Sequence, residues 1–329
     1  MRPDILIVGQ GLAGSLLGWA LERAGLEFAI ADAGPERAAS SVAAGLINPI
    51  TGRRLVKSWG VDALLPQAAQ MYREIGDELG VPLWHPMRVH RLFADDKEGA
   101  AFAAKLGTGE LSPYAYDGDE KGFWIELAAR VDLRQLVDGL RLHWDSQGRL
   151  RETADMAEAV RQHELVIDCR GLEGTRWDPF AFVPWAFSKG ELLELAVAGL
   201  APDVVINRRH WIAPFGGGRA WAGATHEPGV VDSTPTATAR ASLEACALEL
   251  LPQGFAVLGQ RAGIRVNLPD KLPVTGRHPS RHDLGVVNGL GAKGALYAPW
   301  LAQQWVAHLR EGAAFAPEVD VRRFWKASA

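Results

Sequence analysis

Cysteine is scarce: Cys169 and Cys246 are the only two in 329 residues. They give no disulfide framework and no metal-ligand spacing, which fits a reducing, intracellular compartment. No apolar run approaches the ~20 residues needed to cross a bilayer. The first strand-like run begins almost at once, without the charged and apolar regions of a secretory signal, so a cytoplasmic location is expected. A large charge of one sign is also missing. The 35 Lys and Arg stand against 39 Asp and Glu, for a formal net charge of −4. Bulk electrostatics therefore imply no nucleic-acid or other polyanionic partner. We find no low-complexity segment, repeat or linker. The histidines form no metal site, because Pro279 separates His278 from His282 and Pro86 separates His85 from His90. No catalytic triad or carboxylate pair stands out. What the chain does have is a 48% hydrophobic composition and twelve tryptophans. That is enough for a large core, with several tryptophans available to line an aromatic pocket, and the length suggests about two domains.

The N-terminal residues are the most informative. Asp4-Ile5-Leu6-Ile7-Val8 is an apolar run, Gly9-Gln10-Gly11-Leu12-Ala13-Gly14 is a G-x-G-x-x-G turn, residues 15–24 are helix-like, and Phe28-Ala29-Ile30-Ala31-Asp32 is a second apolar run ending in an acid. This order describes a βαβ unit that holds a dinucleotide. Gly9 permits the tight turn, Gly11 lets the backbone approach a pyrophosphate, and Gly14 lets the helix sit close to the strand. The helix N-terminus offers free N–H groups and the positive end of its dipole to the phosphates. Asp32 is placed to accept hydrogen bonds from an adenosine ribose, and its charge disfavours the 2′-phosphate of NADP. The unit alone does not separate NAD from FAD.

Further along, residues 40–58 carry glycine and serine with little periodicity. Residues 64–79 read as a helix stopped by Gly80, residues 88–93 alternate as a strand, and residues 131–142 read as a helix begun by Asp132. Residues 164–169 form a short apolar strand. A different texture starts at Trp185. Residues 191–195 are strand-like, and residues 204–214 and 219–224 read as two strands around a Gly216-Gly217-Gly218 hairpin. Residues 237–251 read as a helix closed by Pro252. Residues 284–287 form another apolar strand, and residues 295–309 a last helix. Segments of α/β character thus flank an antiparallel-looking meander, as in a nucleotide domain built from separated pieces with a sheet domain inserted.

Five segments in this order resemble the D-amino-acid-oxidase-type family of FAD oxidoreductases, which includes glycine oxidase, sarcosine oxidase and the oxidase half of a bifunctional tRNA-modifying enzyme. They are the unit from Gly9 to Asp32; Ser40-Ser41-Val42-Ala43-Ala44-Gly45-Leu46; Val166-Ile167-Asp168-Cys169-Arg170-Gly171; Lys189-Gly190-Glu191-Leu192-Leu193-Glu194-Leu195 with Trp221-Ala222-Gly223-Ala224-Thr225-His226-Glu227; and the stretch from Ala262-Gly263-Ile264-Arg265 through Leu272-Pro273-Val274-Thr275-Gly276 to Gly289 and Gly294. The resemblance covers nearly the whole chain and favours FAD over NAD. It implies an α/β fold, a Rossmann-like FAD-binding domain with an inserted substrate domain on a mostly antiparallel sheet. The expected FAD-binding domain comprises residues 1–62, 126–184 and 263–329, and the substrate domain residues 63–125 and 185–262.

The resemblance also implies roles. Gly9, Gly11, Leu12, Ala13, Gly14, Asp32 and Gly171 are expected at the dinucleotide, and the Ser40 and Ser41 hydroxyls can reach its pyrophosphate. The small residues Ala43, Ala44 and Gly45 let the backbone pass close under a flavin ring, and Gly45 and Leu46 face its reactive nitrogen in relatives. Gly289, Gly291, Ala292, Lys293 and Gly294 lie between a strand and the last helix. Their N–H groups, the helix dipole and the Lys293 ammonium would stabilise negative charge on the pyrimidine side of the reduced ring. Non-covalent attachment is expected, since Val42 stands where some relatives carry a linking histidine and Val266-Asn267-Leu268 lacks the cysteine used by others.

On the substrate side Arg265 is expected to grip a carboxylate bidentately, the alternative being a structural pair with an acid such as Asp270. Trp211 shapes the pocket where a tyrosine is common, and Arg209 is a second candidate. His210 reads as structural. Arg53, Arg54 and Lys57 either cap the site or face solvent. Leu290 and Ala292 replace the His and Arg that glycine-oxidase-like enzymes often carry there. The expected activity is oxidation of the C–N bond of a small amine or amino acid that carries a carboxylate, by hydride transfer to flavin. A 2-hydroxy acid or a modified tRNA base is the alternative substrate, and a non-catalytic FAD-binding partner or sensor is the alternative role.

Overall fold

The computed structural model describes residues 4–34, 39–151 and 155–326. Two sheets organise them. The first has six strands in the order Val274–Arg277, Leu284–Asn288, Leu165–Asp168, Ile5–Val8, Phe28–Ala31 and Leu150–Arg151. All neighbours are parallel except Val274–Arg277 with Leu284–Asn288. Ile5–Val8 lies between two partners and is buried along its whole length. That is why it reads as a continuous apolar run. Its alternate residues enter different cores. Ile5 and Ile7 meet Leu16, Leu140 and Leu301 from the helices Leu12–Arg23, Leu133–Ser146 and Gly294–Glu311. Leu6 and Val8 meet Phe180, Val183 and Val321 on the other face.

The second sheet runs Glu227–Pro228, Ala186–Ala196, Arg219–Gly223, His210–Gly216, Val204–Arg208, Trp84–Leu92, Gly122–Val131 and Leu46–Ile47, with Ala256–Asn267 also paired to Ala186–Ala196. It is antiparallel except where Val204–Arg208 runs parallel to Trp84–Leu92. Gly122–Val131 and Ala256–Asn267 run through the expected domain limits at 125/126 and 262/263. Leu46–Ile47, from the first expected FAD-binding segment, adds to an edge of the same sheet.

The helices begin where short polar side chains cap them. The Asp132 carboxylate accepts from Gln135 N, Asp95 from Glu98 N and Thr236 from Ala239 N, each satisfying an orphan donor of the first turn. The helix expected over 64–79 spans Val61–Leu79 and ends at Gly80 in the left-handed region, φ 66°. One expected strand is corrected. Residues 204–214 are two strands, because Arg209 turns at φ 60° and pairs Arg208 with His210 in a hairpin. Among the described residues no helix is long and apolar enough to cross a membrane.

Candidate active site

A cavity of about 1330 Å³ runs from the C-terminal ends of the parallel strands to the second sheet. That exceeds the ~300–1,000 Å³ of ordinary small-molecule pockets, and leaves room for a dinucleotide and a substrate together.

Its first end is built from backbone. Gly9 has φ 97°, and a Cβ there would lie 2.8 Å from Arg170 N and Cys169 C. A Cβ on Gly14 would lie 1.9 Å from Gly9 O. Both positions therefore require glycine. The helix Leu12–Arg23 starts after Gly11 with no side-chain cap bond, so its first N–H groups are available to an anion. Gly11, Leu12 and Ala13 lie on the cavity wall, while Gly14 stands behind it. Asp32 also lies on the wall. Its carboxylate accepts from Gln10 N at 2.9 Å, Gly34 N at 2.8 Å and Arg141 Nη1 at 2.9 Å. Arg141, 109 residues away on the helix Leu133–Ser146, was invisible to sequence reasoning. Ser40 reaches the wall and Ser41 does not.

The middle of the cavity is lined by Ala43, Ala44, Gly45 and Leu46 on one side and Gly291, Ala292, Lys293 and Gly294 on another. Gly45 has φ 69°, and a Cβ there would lie 2.0 Å from Val131 O. Gly171 is on the wall, and Asn288 Nδ2 donates to Gly171 O at 2.8 Å, joining two of the expected segments. Gly289 stands behind the wall against Leu268. Lys293 is half-buried, and burial lowers its pKa. Among the described residues its ammonium has no ion pair or side-chain hydrogen bond. These narrow, donor-rich surfaces fit a dinucleotide and a flat ring.

The far end carries Arg265, Arg209, Trp211 and Arg53. Arg265 extends across Gly190, where any Cβ would collide with its guanidinium, and Nη1 donates to Thr225 O at 3.2 Å. Burial lowers its pKa. It does not pair with Asp270, which holds Arg323 at 3.0 Å. Arg53 is exposed and bonded to Asp95. Arg54 and Lys57 are off the wall, and Lys57 pairs with Asp62. His210 is also off the wall, with Nδ1 3.2 Å from Ala224 O, and burial lowers its pKa. Among the described residues Trp211 is the only tryptophan on the wall, so the expected lining of this cavity by several tryptophans is corrected. Sequence reasoning missed a buried pair on this wall, Arg91 with Glu98. Arg91 Nε lies 2.9 Å from Glu98 Oε1, and Nη2 donates to Gly52 O at 3.1 Å. The Asp95-x-x-Glu98 spacing of a helix start was the available signal.

Comparison with known proteins places the chain among relatives. The chain is 29% identical to the tRNA 5-methylaminomethyl-2-thiouridine biosynthesis bifunctional protein MnmC of Maricaulis maris, over 94% of this chain but only 52% of that protein. It is 27% identical to the glycine oxidase of Pseudomonas aeruginosa, over 91% of this chain and 92% of that one. Among solved structures, glycine oxidase from Geobacillus kaustophilus superposes with a TM-score of 0.78 at 22% identity over 98% of both chains. Iminodiacetate oxidase from Chelativorans sp. BNC1 gives 0.76 at 20% identity, over 95% of this chain and 97% of that one; both likenesses concern the fold. The family profile described as FAD dependent oxidoreductase (DAO) matches residues 4–309, and the chain belongs to that family.

Proposed function

We propose that this FAD-dependent oxidoreductase oxidises the C–N bond of a small amine or amino acid that carries a carboxylate. One observation carries the reading: Arg265, a desolvated guanidinium with no acidic partner among the described residues, lines the same cavity as the dinucleotide loop and the Ala44-Gly45-Leu46 backbone. The similarity to glycine oxidases along nearly their full length supports it.

In this proposal Gly9, Gly11, Leu12, Ala13 and Ser40 would hold the pyrophosphate, with Gly14 keeping the helix close to the strand behind them, and Asp32 would receive the ribose. Ala44, Gly45, Leu46 and Gly171 pass along the ring. Gly291, Ala292, Lys293 and Gly294 would stabilise charge on its pyrimidine side, with Gly289 making the turn behind them. FAD held there non-covalently supplies a hydride acceptor. Arg265 fixes the substrate carboxylate, while Trp211 and Arg209 bound the space around it and Arg53 stands at the rim. The substrate C–H bond gives up its hydrogen with two electrons as the nitrogen lone pair forms C=N. Water then converts the imine to a carbonyl compound and a free amine. A neutral amine needs positioning more than a strong base for this step.

The similarity to half of a tRNA-modifying protein favours a second reading, oxidation of a modified tRNA base, which the net charge of −4 does not support. A reducing, cytoplasmic setting belongs to the same proposal, with Cys169 and Cys246 as free thiols. The test is an anaerobic screen of amines, amino acids and hydroxy acids for bleaching of the bound flavin. Bleaching by a carboxylated amine is the expected result. Bleaching by hydroxy acids alone, or by none of the panel, refutes the reading.

A further inference from the structure

Among the described residues six basic side chains line the cavity: Arg53, Arg91, Arg170, Arg209, Arg265 and Lys293. Three are neutralised by carboxylates, Arg53 by Asp95, Arg91 by Glu98 and Arg170 by Asp168. For Arg209, Arg265 and Lys293 no acidic partner exists among the described residues. Lys293 begins the helix Gly294–Glu311 beside the expected ring position, and Arg265 is assigned above to one carboxylate. Arg209 is therefore a surplus cation on the substrate wall.

The fold puts Arg209 on the same side as Arg265. Between the strands His210–Gly216 and Arg219–Gly223, Trp211 is paired with Gly223, and His210 Nδ1 lies 3.2 Å from Ala224 O. One residue further along each chain lie Arg209 and Thr225, and Thr225 O is the carbonyl that Arg265 holds at 3.2 Å. Arg265 is half-buried and Arg209 exposed, so one cation sits in the wall and the other at its mouth. Trp211 and Asn207 line the cavity from the hairpin that turns at Arg209. The neighbouring Arg208 points elsewhere, 4.0 Å from Glu249, so the mouth carries a single added cation and not a basic track. Arg209 also occupies a left-handed position, φ 60°, that glycine or asparagine adopts with less strain. An arginine there is retained against its backbone preference, as residues at ligand sites often are.

We infer that the substrate carries two anionic groups, an amino acid with a second carboxylate, which Arg209 receives while Arg265 holds the carboxylate next to the reacting carbon. This rests on the proposed C–N oxidation for its chemistry, but the two-anion site can be tested apart from it.

The test uses the FAD-loaded protein and titrates length-matched carboxylates, glutarate against valerate and succinate against butyrate, by their perturbation of the flavin absorbance. The dianion is expected to bind at least tenfold more tightly than its matched monoanion. In Arg209→Gly, whose backbone suits φ 60° and so preserves the hairpin, that ratio should fall to within twofold of one. The preference should also shrink with ionic strength, since the outer cation is exposed. A ratio near one in the unaltered protein, or a ratio unchanged in Arg209→Gly, overturns the inference. So does displacement of glutarate by a short RNA oligonucleotide that depends on Arg209, which would assign the arginine to phosphate. Anaerobic bleaching by both enantiomers of aspartate against alanine completes the comparison. A retained dianion preference with no bleaching by any amine supports the two-anion site and refutes C–N oxidation. Bleaching by alanine and aspartate with equal efficiency and equal loss in Arg209→Gly refutes the two-anion site alone.

Discussion

Gly14→Ala tests whether the first glycine loop is the phosphate site. The added methyl would lie 1.9 Å from Gly9 O and 3.3 Å from Ile7 Cγ2, whereas real Cβ atoms essentially never come within 3.0 Å of such a neighbour. The helix Leu12–Arg23 must therefore move away from the strand by about 1 Å at its N-terminus. It cannot do so freely, because Leu16, Leu17 and Leu21 are fully buried beneath it. Overpacking of this kind costs ~1–3 kcal/mol, which should lower the apoprotein's melting temperature by several degrees. The same movement withdraws the helix's free N–H groups from the pyrophosphate. A loss of ~1.4 kcal/mol there is already tenfold in affinity, so FAD should dissociate at least tenfold more readily. Reconstitution of the apoprotein, followed by flavin fluorescence and by calorimetry, measures both effects. Gly107→Ala is the control. It lies in the helix Asp96–Thr108, nothing is within 4 Å of its added methyl, and replacing a helical glycine should stabilise by about 0.5–1 kcal/mol without touching FAD. A Gly14→Ala protein with unaltered FAD affinity and melting temperature would refute the placement of the loop.

Arg265→Gln should leave the flavin spectrum nearly intact and weaken carboxylate ligands about ten- to a hundred-fold, the ~1.5–3 kcal/mol of a charge-assisted bond; unchanged benzoate titrations would leave Arg265 structural. Lys293→Met should weaken sulfite binding to the holoenzyme and lower the flavin potential, by ~1–2 kcal/mol, because the helix dipole and backbone donors remain; unchanged values would make Lys293 a solvent-facing residue. Glu191→Gln should cost ~3–5 kcal/mol, since it leaves the buried Lys189 ammonium, 3.1 Å from Glu191 Oε1, without its counter-charge. Burial would raise the Glu191 pKa, but hydrogen bonds from Thr236, Lys189 and Gln260 outweigh it and hold the pKa below the ordinary value. That stability is present at neutral pH and is lost as pH falls below the usual carboxylate range and through the depressed folded value. Melting temperatures from pH 7 to 3 should therefore show an acid step in the unaltered protein that the variant lacks.

What the sequence disclosed is local backbone geometry. Gly9 and Gly14 are legible because a close backbone approach admits one residue type within a few positions. Asp32 follows from strand length, and the cap at Asp132 from its place before an apolar period. The strand break at Arg209 was not legible. Nothing in Arg208-Arg209-His210 carries turn chemistry, and the left-handed conformation is imposed by pairing on both sides. The contacts that complete the site are long-range. Arg141 reaches Asp32 across 109 residues, Arg91 holds Gly52 O across 39, and the parallel pairing of Val204–Arg208 with Trp84–Leu92 joins segments with no shared pattern. Arg265 was legible through its resemblance to relatives, and its freedom from Asp270 only through the fold.

The wall of the cavity divides its cations by task. Those with carboxylate partners hold protein: Arg91 bridges Glu98 to Gly52 O, and Arg170 is fastened to Asp168 at the end of the strand Leu165–Asp168. Those without partners hold none, apart from the carbonyls around Arg265. Burial pushes the pKa of both Arg265 and Lys293 down, which means that each charge is less stable in the folded protein than in water. No gain in folding accounts for leaving them unpaired. An acid within reach of either would stabilise the apoprotein and would also neutralise the charge that an anionic ligand requires. The desolvation cost is recovered when such a ligand binds, and binding to the folded state alone then returns it as stability. An anionic ligand seated against both is therefore expected to raise the melting temperature of the protein, and one that leaves it unchanged would refute this account.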